Sequence, residues 1–392
     1  MIFFLVNNDY QLFDARHHAK ELGNHGMTPA LIEVPHALGE VDRKEGFASL
    51  VSFPSPVRSH RWFGAWRRYF PLCRKVERAL TPCKDDVLFL YTEFELLNHS
   101  IAMLFKRANA RVYLLEDGGV GTYLPFSLQS DEPLSPKQRL IAAMTRCLPR
   151  LGRTKFHKVN GVVFPWLEDK HIDGVCLYRP LRIVRSIPVH VVRGASAVAI
   201  EPKAGRAIFL NERMYDDYQT DDQYLEGLDR ILASLTSGFE EVLFKFHPRE
   251  EAAWIHRIRT LIASRQFPVR IIEDKRAIEA IVAAYRPEVI ASYFSTALLN
   301  LEGTGIEPMF LYQLLPGLAS QRLFMQLTTL LHGWRYRFVT SWDEVRSGYR
   351  CEMRKGGGAE PLALFDLVRT NCDDPSRATG RRSLQGPCRQ RP

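Results

Sequence analysis

The sequence predicts an α/β protein made of two doubly wound parallel sheets. Short apolar runs alternate with helical patterns through the N-terminal half, and the same alternation restarts near residue 206. Between the two series, a Gly/Ala/Pro/Lys stretch from Ala195 to Gly205 interrupts the pattern and marks a boundary.

The first series opens with a strand, Ile2 to Val6, followed by a helix over Leu12 to Leu22. The apolar opening has no basic flank before it and runs straight into Asn7, Asn8 and Asp9, so it is expected to be a strand and not a signal peptide. A strand over Val87 to Tyr91, a helix over Phe94 to Arg107 and a strand over Arg111 to Leu115 continue the alternation. The second series starts with the strand Arg206 to Leu210 and a helix whose Leu225, Leu228, Ile231, Leu232 and Leu235 share one face. It continues through the strand Glu241 to Phe246, a helix near Glu250 to Ser264, the strand Val269 to Ile272, a helix near Arg276 to Tyr285 and the strand Glu288 to Ala291. These series divide the chain into domains at 1–200 and 201–370, and the Arg/Gly/Ser/Pro-rich residues 371–392 are expected to form a disordered basic tail.

The 392 residues carry a net charge of +9, which favours encounters with polyanions without choosing among nucleic acid, anionic lipid and acidic glycan. Seven scattered cysteines form no C-x-x-C pair, so neither a disulfide framework nor a zinc site is expected, and a reducing cytoplasm fits. No apolar run approaches the roughly 20 residues of a membrane-spanning helix.

Two open sheets in series place a ligand cleft at the carboxyl ends of their strands, and three motifs fall there. Leu114-Leu115-Glu116-Asp117-Gly118-Gly119 ends a strand in two carboxylates, a pair that raises one pKa and suits a general base, although an acidic turn has the same sequence. Lys245-Phe246-His247-Pro248-Arg249 gathers an imidazole and two cations at a helix start, where they suit an anion, with Pro248 stiffening the turn. Ser292-Tyr293-Phe294-Ser295-Thr296 offers hydroxyls beside free backbone N–H groups, as a phosphate site does and as a plain helix cap also does.

In their order, Glu116-Asp117-Gly118, His247-Pro248 and Ser295-Thr296 resemble the D/E-D/E-G, HP and S-S/T motifs of bacterial GT-B sialyltransferases. The gap of roughly 130 residues between the first two is most similar to the capsular polysialyltransferase branch. The resemblance spans roughly Ile2 to Tyr312 and implies a GT-B fold, two Rossmann-like domains facing across a cleft. It further implies an inverting transfer of sialic acid from CMP-sialic acid to a capsule or lipooligosaccharide glycan. Glu116 would then be the base and His247 the general acid at the CMP phosphate. Ser295 and Thr296 would hold that phosphate, and Pro248 of the HP motif would belong to the donor side; Lys245 would lie near the cytosine and Glu273 near the ribose. Asn7 and Gln11 in the first loop, with Asp117 and Gly118, would line the acceptor side. No cofactor or metal is expected, since His and hydroxyl donors can neutralise the leaving group and no Asp-x-Asp pattern ends a strand.

A donor such as CMP-Kdo or CDP-glycerol fits the same phosphate chemistry. CDP-glycerol fits less well, because Ser292-Tyr293-Phe294 stands where that family has an acid before its hydroxyls. A non-catalytic polyanion binder is the alternative from another class. The stretch 58–70, with Trp62, Phe63, Trp66 and Phe70 on one helical face among arginines, suits peripheral contact with the inner face of the cytoplasmic membrane, or equally a helix packed into the first domain. No nucleic-acid motif accompanies it. The pairs Asp216-Asp217 and Asp221-Asp222 suit helix capping, and His17, His18, His25 and His36 are expected on the solvated surface.

Overall fold

The computed structural model describes the chain except residues 38–43, 55–61, 94, 118–131, 149, 160–161, 180–182, 184, 195–199, 249, 275, 277, 302–303, 334–335, 337, 348–361 and 373–392. Gly118, Gly119 and Arg249 of the sequence motifs lie outside the described residues, as do the side chains of His36 and of residues 62–68; of the expected tail 371–392, Asn371 and Cys372 instead end helix Leu364–Cys372 and the rest lies outside the described residues.

Seven parallel strands form the first sheet: β1 (Ile2–Asn8), β2 (Pro29–Ala37), β3 (Ser49–Ser52), β4 (Val87–Leu90), β5 (Arg111–Leu115), β8 (Gly174–Leu177) and β9 (Val189–Val191), in the order β3-β2-β1-β4-β5-β8-β9. The second sheet contains β10 (Lys203–Leu210), β11 (Glu241–Lys245), β12 (Val269–Ile272), β13 (Pro287–Ser292) and β14 (Glu307–Phe310), in the order β12-β11-β10-β13-β14. Both orders reverse direction beside their first strand, so each sheet has a switch point, between β1 and β4 and between β10 and β13, where ligands of such folds bind. Between β5 and β8 the chain adds an antiparallel hairpin, β6 (Thr154–Val159) and β7 (Val162–Leu167). Arg185 fixes that hairpin by bonding the Glu93 carboxylate, Asp169 and the Leu167 carbonyl.

Alternation along β1 explains why the first sheet is covered on both sides. Ile2, Phe4 and Val6 pack with Leu12, Ala15, Ala19 and Leu22 of helix Asp9–Asn24, whereas Leu5 faces Leu72, Cys73 and Val76 of helix Trp62–Ala79 and Ile101 and Phe105 of helix Leu96–Arg107. In the second sheet, Leu228, Ile231, Leu232 and Leu235 of helix Asp221–Gly238 are all fully buried against Ile208 and Leu243. Thr220 caps that helix, with Asp221 and Asp222 in its first turn. The last described helix, Leu364–Cys372, returns to the first sheet: Leu364, Leu367 and Val368 join its core, and Leu362 bridges Val192.

Asn7 and Gln11 do not stand in a loop. β1 runs on to Asn8, Asn8 caps the first helix, and both Asn7 and Gln11 are buried. The Asn7 amide donates to the Val34 carbonyl and its oxygen accepts from Asn98 at 2.9 Å, while its backbone N–H donates to Gln11 at 2.7 Å. These bonds tie β1 to β2 and to helix Leu96–Arg107 and occupy the Asn7 side chain internally, whereas Gln11 accepts through its oxygen and its buried amide nitrogen has no hydrogen-bond partner among the described residues. His18 is likewise not on the surface: it is fully buried, with its Nε2 3.5 Å from the Asp14 carboxylate. A polar face on the first helix looks solvated in sequence, but the Asp14, Tyr91 and Tyr178 side chains cover it. Phe70 is exposed at 45%, whereas Tyr69, Leu72, Cys73 and Val76 supply the packed face of its helix. Among the described residues no helix is long and apolar enough to cross a membrane.

Candidate active site

Glu116 follows β5 and is fully buried. Its Oε2 accepts the Tyr178 backbone N–H at 2.7 Å, and its Oε1 lies 3.6 Å from the Arg179 guanidinium. Arg179 in turn donates to the Leu299 carbonyl and, at 3.3 Å, to the Tyr336 hydroxyl, both carried by the half of the chain that forms the second sheet. Leu299 ends the one-turn helix that begins at Thr296, and such a helix is only about 6 Å long. The carboxylate of the first motif is therefore tied through one guanidinium to the helix that carries the hydroxyls of the third. Asp117, one residue on, is half-buried.

Tyr10 provides a second marker of this convergence. Burial pushes its phenol well above the ordinary range, and the negative charges of Asp14, Glu116, Glu279 and Asp117 push it further. Glu279 belongs to helix Ile278–Tyr285, beside the second sheet, so carboxylates from both sheets surround one ring. Burial also raises the Glu279 pKa, and Asn300 donates to its carboxylate at 3.4 Å.

The second motif closes β11. His247 is half-buried and Pro248 exposed. The Glu250 backbone N–H donates to the His247 carbonyl at 2.9 Å, which folds the turn back. Lys245 donates to the Asp274 carbonyl at 2.9 Å, and burial lowers its pKa. Glu273 stands exposed at the end of edge strand β12, ion-paired with Arg259. The third motif closes β13, where Ser295 caps the short helix by accepting the Ala297 N–H at 3.4 Å. One turn of helix supplies little dipole, so anion binding there would depend on hydroxyls and loop N–H groups. β11 and β13 flank β10, and strands two positions apart are separated by about 10 Å, a span that a nucleotide phosphate and its neighbours bridge.

Three residues of the candidate site do not stand out in the sequence motifs. Asn211 and Glu212 follow β10 at the switch point, where a strand end of the kind that carries Glu116 stands. Arg179 follows β8, a strand too short to stand out in the sequence.

Burial pushes the Glu212 carboxyl up to about 8, partly offset by the Phe294 N–H and the Ser292 and Ser295 hydroxyls. The folded chain thus holds this proton more tightly than the unfolded chain. Stability falls as pH rises from the ordinary carboxyl range to about 8 and is independent of this group above it. Glu212→Gln is expected to flatten that decline, measured as unfolding midpoints across the window. Arg179→Leu, which strands the buried Glu116 charge, is expected to cost about 3 kcal/mol in denaturant unfolding.

A family model described as alpha-2,8-polysialyltransferase matches residues 3–303. No curated protein matches the chain by sequence. The UDP-GlcNAc 2-epimerase of Methanocaldococcus jannaschii superposes with a TM-score of 0.54 at 11% identity, covering 95% of this chain and 99% of that one. The Neisseria meningitidis UDP-GlcNAc 2-epimerase bound to UDP-GlcNAc gives a TM-score of 0.49 at 11% identity, covering 96% and 100%. At such identities the likeness concerns the fold alone, and the two doubly wound sheets are those of the GT-B architecture.

Proposed function

The chain belongs to the alpha-2,8-polysialyltransferase family and is a glycosyltransferase; from that premise we propose that it transfers sialic acid from CMP-sialic acid to an acidic bacterial surface glycan. The observation that carries this reading is the family match over residues 3–303, within which all three motifs fall at carboxyl ends of parallel strands.

In the proposed reaction the acceptor hydroxyl oxygen attacks the anomeric carbon as the bond from that carbon to the CMP phosphate oxygen breaks. Glu116 takes the hydroxyl proton, and His247 donates a proton to the departing phosphate. Ser295 and Thr296 hold that phosphate, Lys245 lies toward the base and Glu273 toward the ribose. A buried carboxylate with a desolvated cation close by is a base under tight control. For Glu116 to reach an acceptor, the Arg179 contact has to give way, so catalysis on this reading requires the seam between the sheets to part. The imidazole and hydroxyls take the role that a metal plays in other transferases. Asp117 and Gly118 belong to the acceptor side, and residues 58–70 would rest the protein on the inner face of the membrane that its glycan leaves.

Donor screening tests the proposal: the purified chain is incubated with CMP-sialic acid, CMP-Kdo and CDP-glycerol, and nucleotide release is followed with and without sialylated oligosaccharides. Release of CMP from CMP-sialic acid, accelerated by acceptor, is expected. Turnover confined to CMP-Kdo or CDP-glycerol would refute the donor assignment.

A further inference from the structure

The dipeptide Asn211-Glu212 ends the central strand of the second sheet, between the His247 turn and the Ser295 turn, and it holds both. On one side the Asn211 amide donates to the Glu250 carboxylate at 2.8 Å, and Glu250 closes the His247 turn through its own backbone N–H. The Asn211 backbone N–H donates to the Lys245 carbonyl at 2.9 Å, and its side-chain oxygen accepts from the buried Tyr224 hydroxyl at 2.8 Å. Tyr215 donates a further bond to Glu250 at 2.5 Å. On the other side the Glu212 carboxyl accepts the Phe294 N–H at 2.9 Å and meets the Ser292 and Ser295 hydroxyls, while Ser292 also donates to the Leu210 carbonyl at 2.9 Å.

We propose that Glu212 is a positioning residue for the donor phosphate, its carboxyl pinning the Tyr293–Ser295 turn to the end of β10 while Asn211 pins the His247 turn beside it. The inference rests on the reading of Ser295 and Thr296 as phosphate holders. One dipeptide then fixes the distance between the imidazole and the hydroxyls that share the phosphate. A carboxylate so close to a bound phosphate would repel it, whereas a neutral carboxylic acid accepts the Phe294 N–H and adds no charge. The raised pKa of Glu212, caused by burial, keeps it neutral around neutral pH. Among the described residues, the ionisable groups that couple to it include the Tyr224 and Tyr293 phenols, both held neutral by burial, and the Glu250 carboxylate acts on both phenols. Lys245 and His247 face the same phosphate on the proposed reading.

The test measures CMP affinity by calorimetry from about pH 7 to 9 for the full chain, Glu212→Gln and Glu212→Ala. CMP is almost fully ionised across that range, and comparing the three proteins isolates the contribution of residue 212. The unaltered chain is expected to lose about fivefold more CMP affinity across that range than Glu212→Gln, which keeps an acceptor for Phe294 and cannot ionise. Glu212→Ala is expected to bind about tenfold more weakly at every pH, and if it fails to fold the Gln variant alone decides. A pH dependence of Glu212→Gln identical to that of the unaltered chain would overturn the inference while leaving the donor reading intact. An unaltered chain that binds no CMP at any pH overturns both.

Discussion

Glu116→Gln is expected to lower kcat by about 10²- to 10⁴-fold while leaving CMP affinity unchanged, because the amide keeps the shape of the side chain and loses the ability to take a proton. The substitution keeps an oxygen for the Tyr178 N–H and removes the charge beside Arg179. Arg179 retains its bonds to the Leu299 carbonyl and the Tyr336 hydroxyl, so the seam between the sheets persists and the stability loss is expected to stay near 1–3 kcal/mol. Turnover and unfolding therefore separate the two roles of the residue. A kcat within about threefold of the unaltered enzyme would remove Glu116 from the chemistry. The low-pH limb of the rate profile should vanish with it, since that limb reports the base becoming protonated.

His247→Ala is expected to lose a comparable factor, again about 10²- to 10⁴-fold, with the fold retained. The bond that closes the His247 turn comes from its backbone carbonyl to the Glu250 N–H and does not need the ring, and the half-buried side chain leaves no deep cavity. A general acid must be protonated to act, so activity limited by it declines as pH rises through its pKa. His247→Ala should abolish that alkaline limb, and Glu116→Gln should spare it. A donor with a better leaving group should recover much of the loss in His247→Ala and little of that in Glu116→Gln. Equal recovery in both variants would contradict the division of labour.

Much of the architecture was legible because parallel strands buried on both faces read as apolar runs, and the runs at Arg111, Val269 and Arg206 mark strands in the folded chain. The candidate strand ends at Leu115, Lys245 and Ser292 were legible for the same reason, since each stands where an apolar run stops. What stayed hidden were side chains whose role depends on long-range partners. Asn7 looked like a loop amide until β2 and Asn98 met it, 27 and 91 residues away. His18 looked solvated until Asp14 and Tyr178 covered it. Arg179, which joins the two halves, pairs with carbonyl and hydroxyl groups 120 and 157 residues on, and no local pattern encodes such contacts. Asn211-Glu212 differs: its place directly after the apolar run Arg206 to Leu210 is visible in the sequence, whereas its partners Glu250, Tyr224 and Phe294 lie 13 to 82 residues away.

The most direct measurement is a crystal structure of the unaltered chain with CMP. The account predicts the phosphate within hydrogen-bonding distance of the His247 imidazole and the Ser295 and Thr296 hydroxyls, with the Glu116 carboxylate released from Arg179 and facing it across the gap between the sheets. A phosphate bound elsewhere, or a Glu116 still sealed behind Arg179 with no open path to the nucleotide, would contradict it.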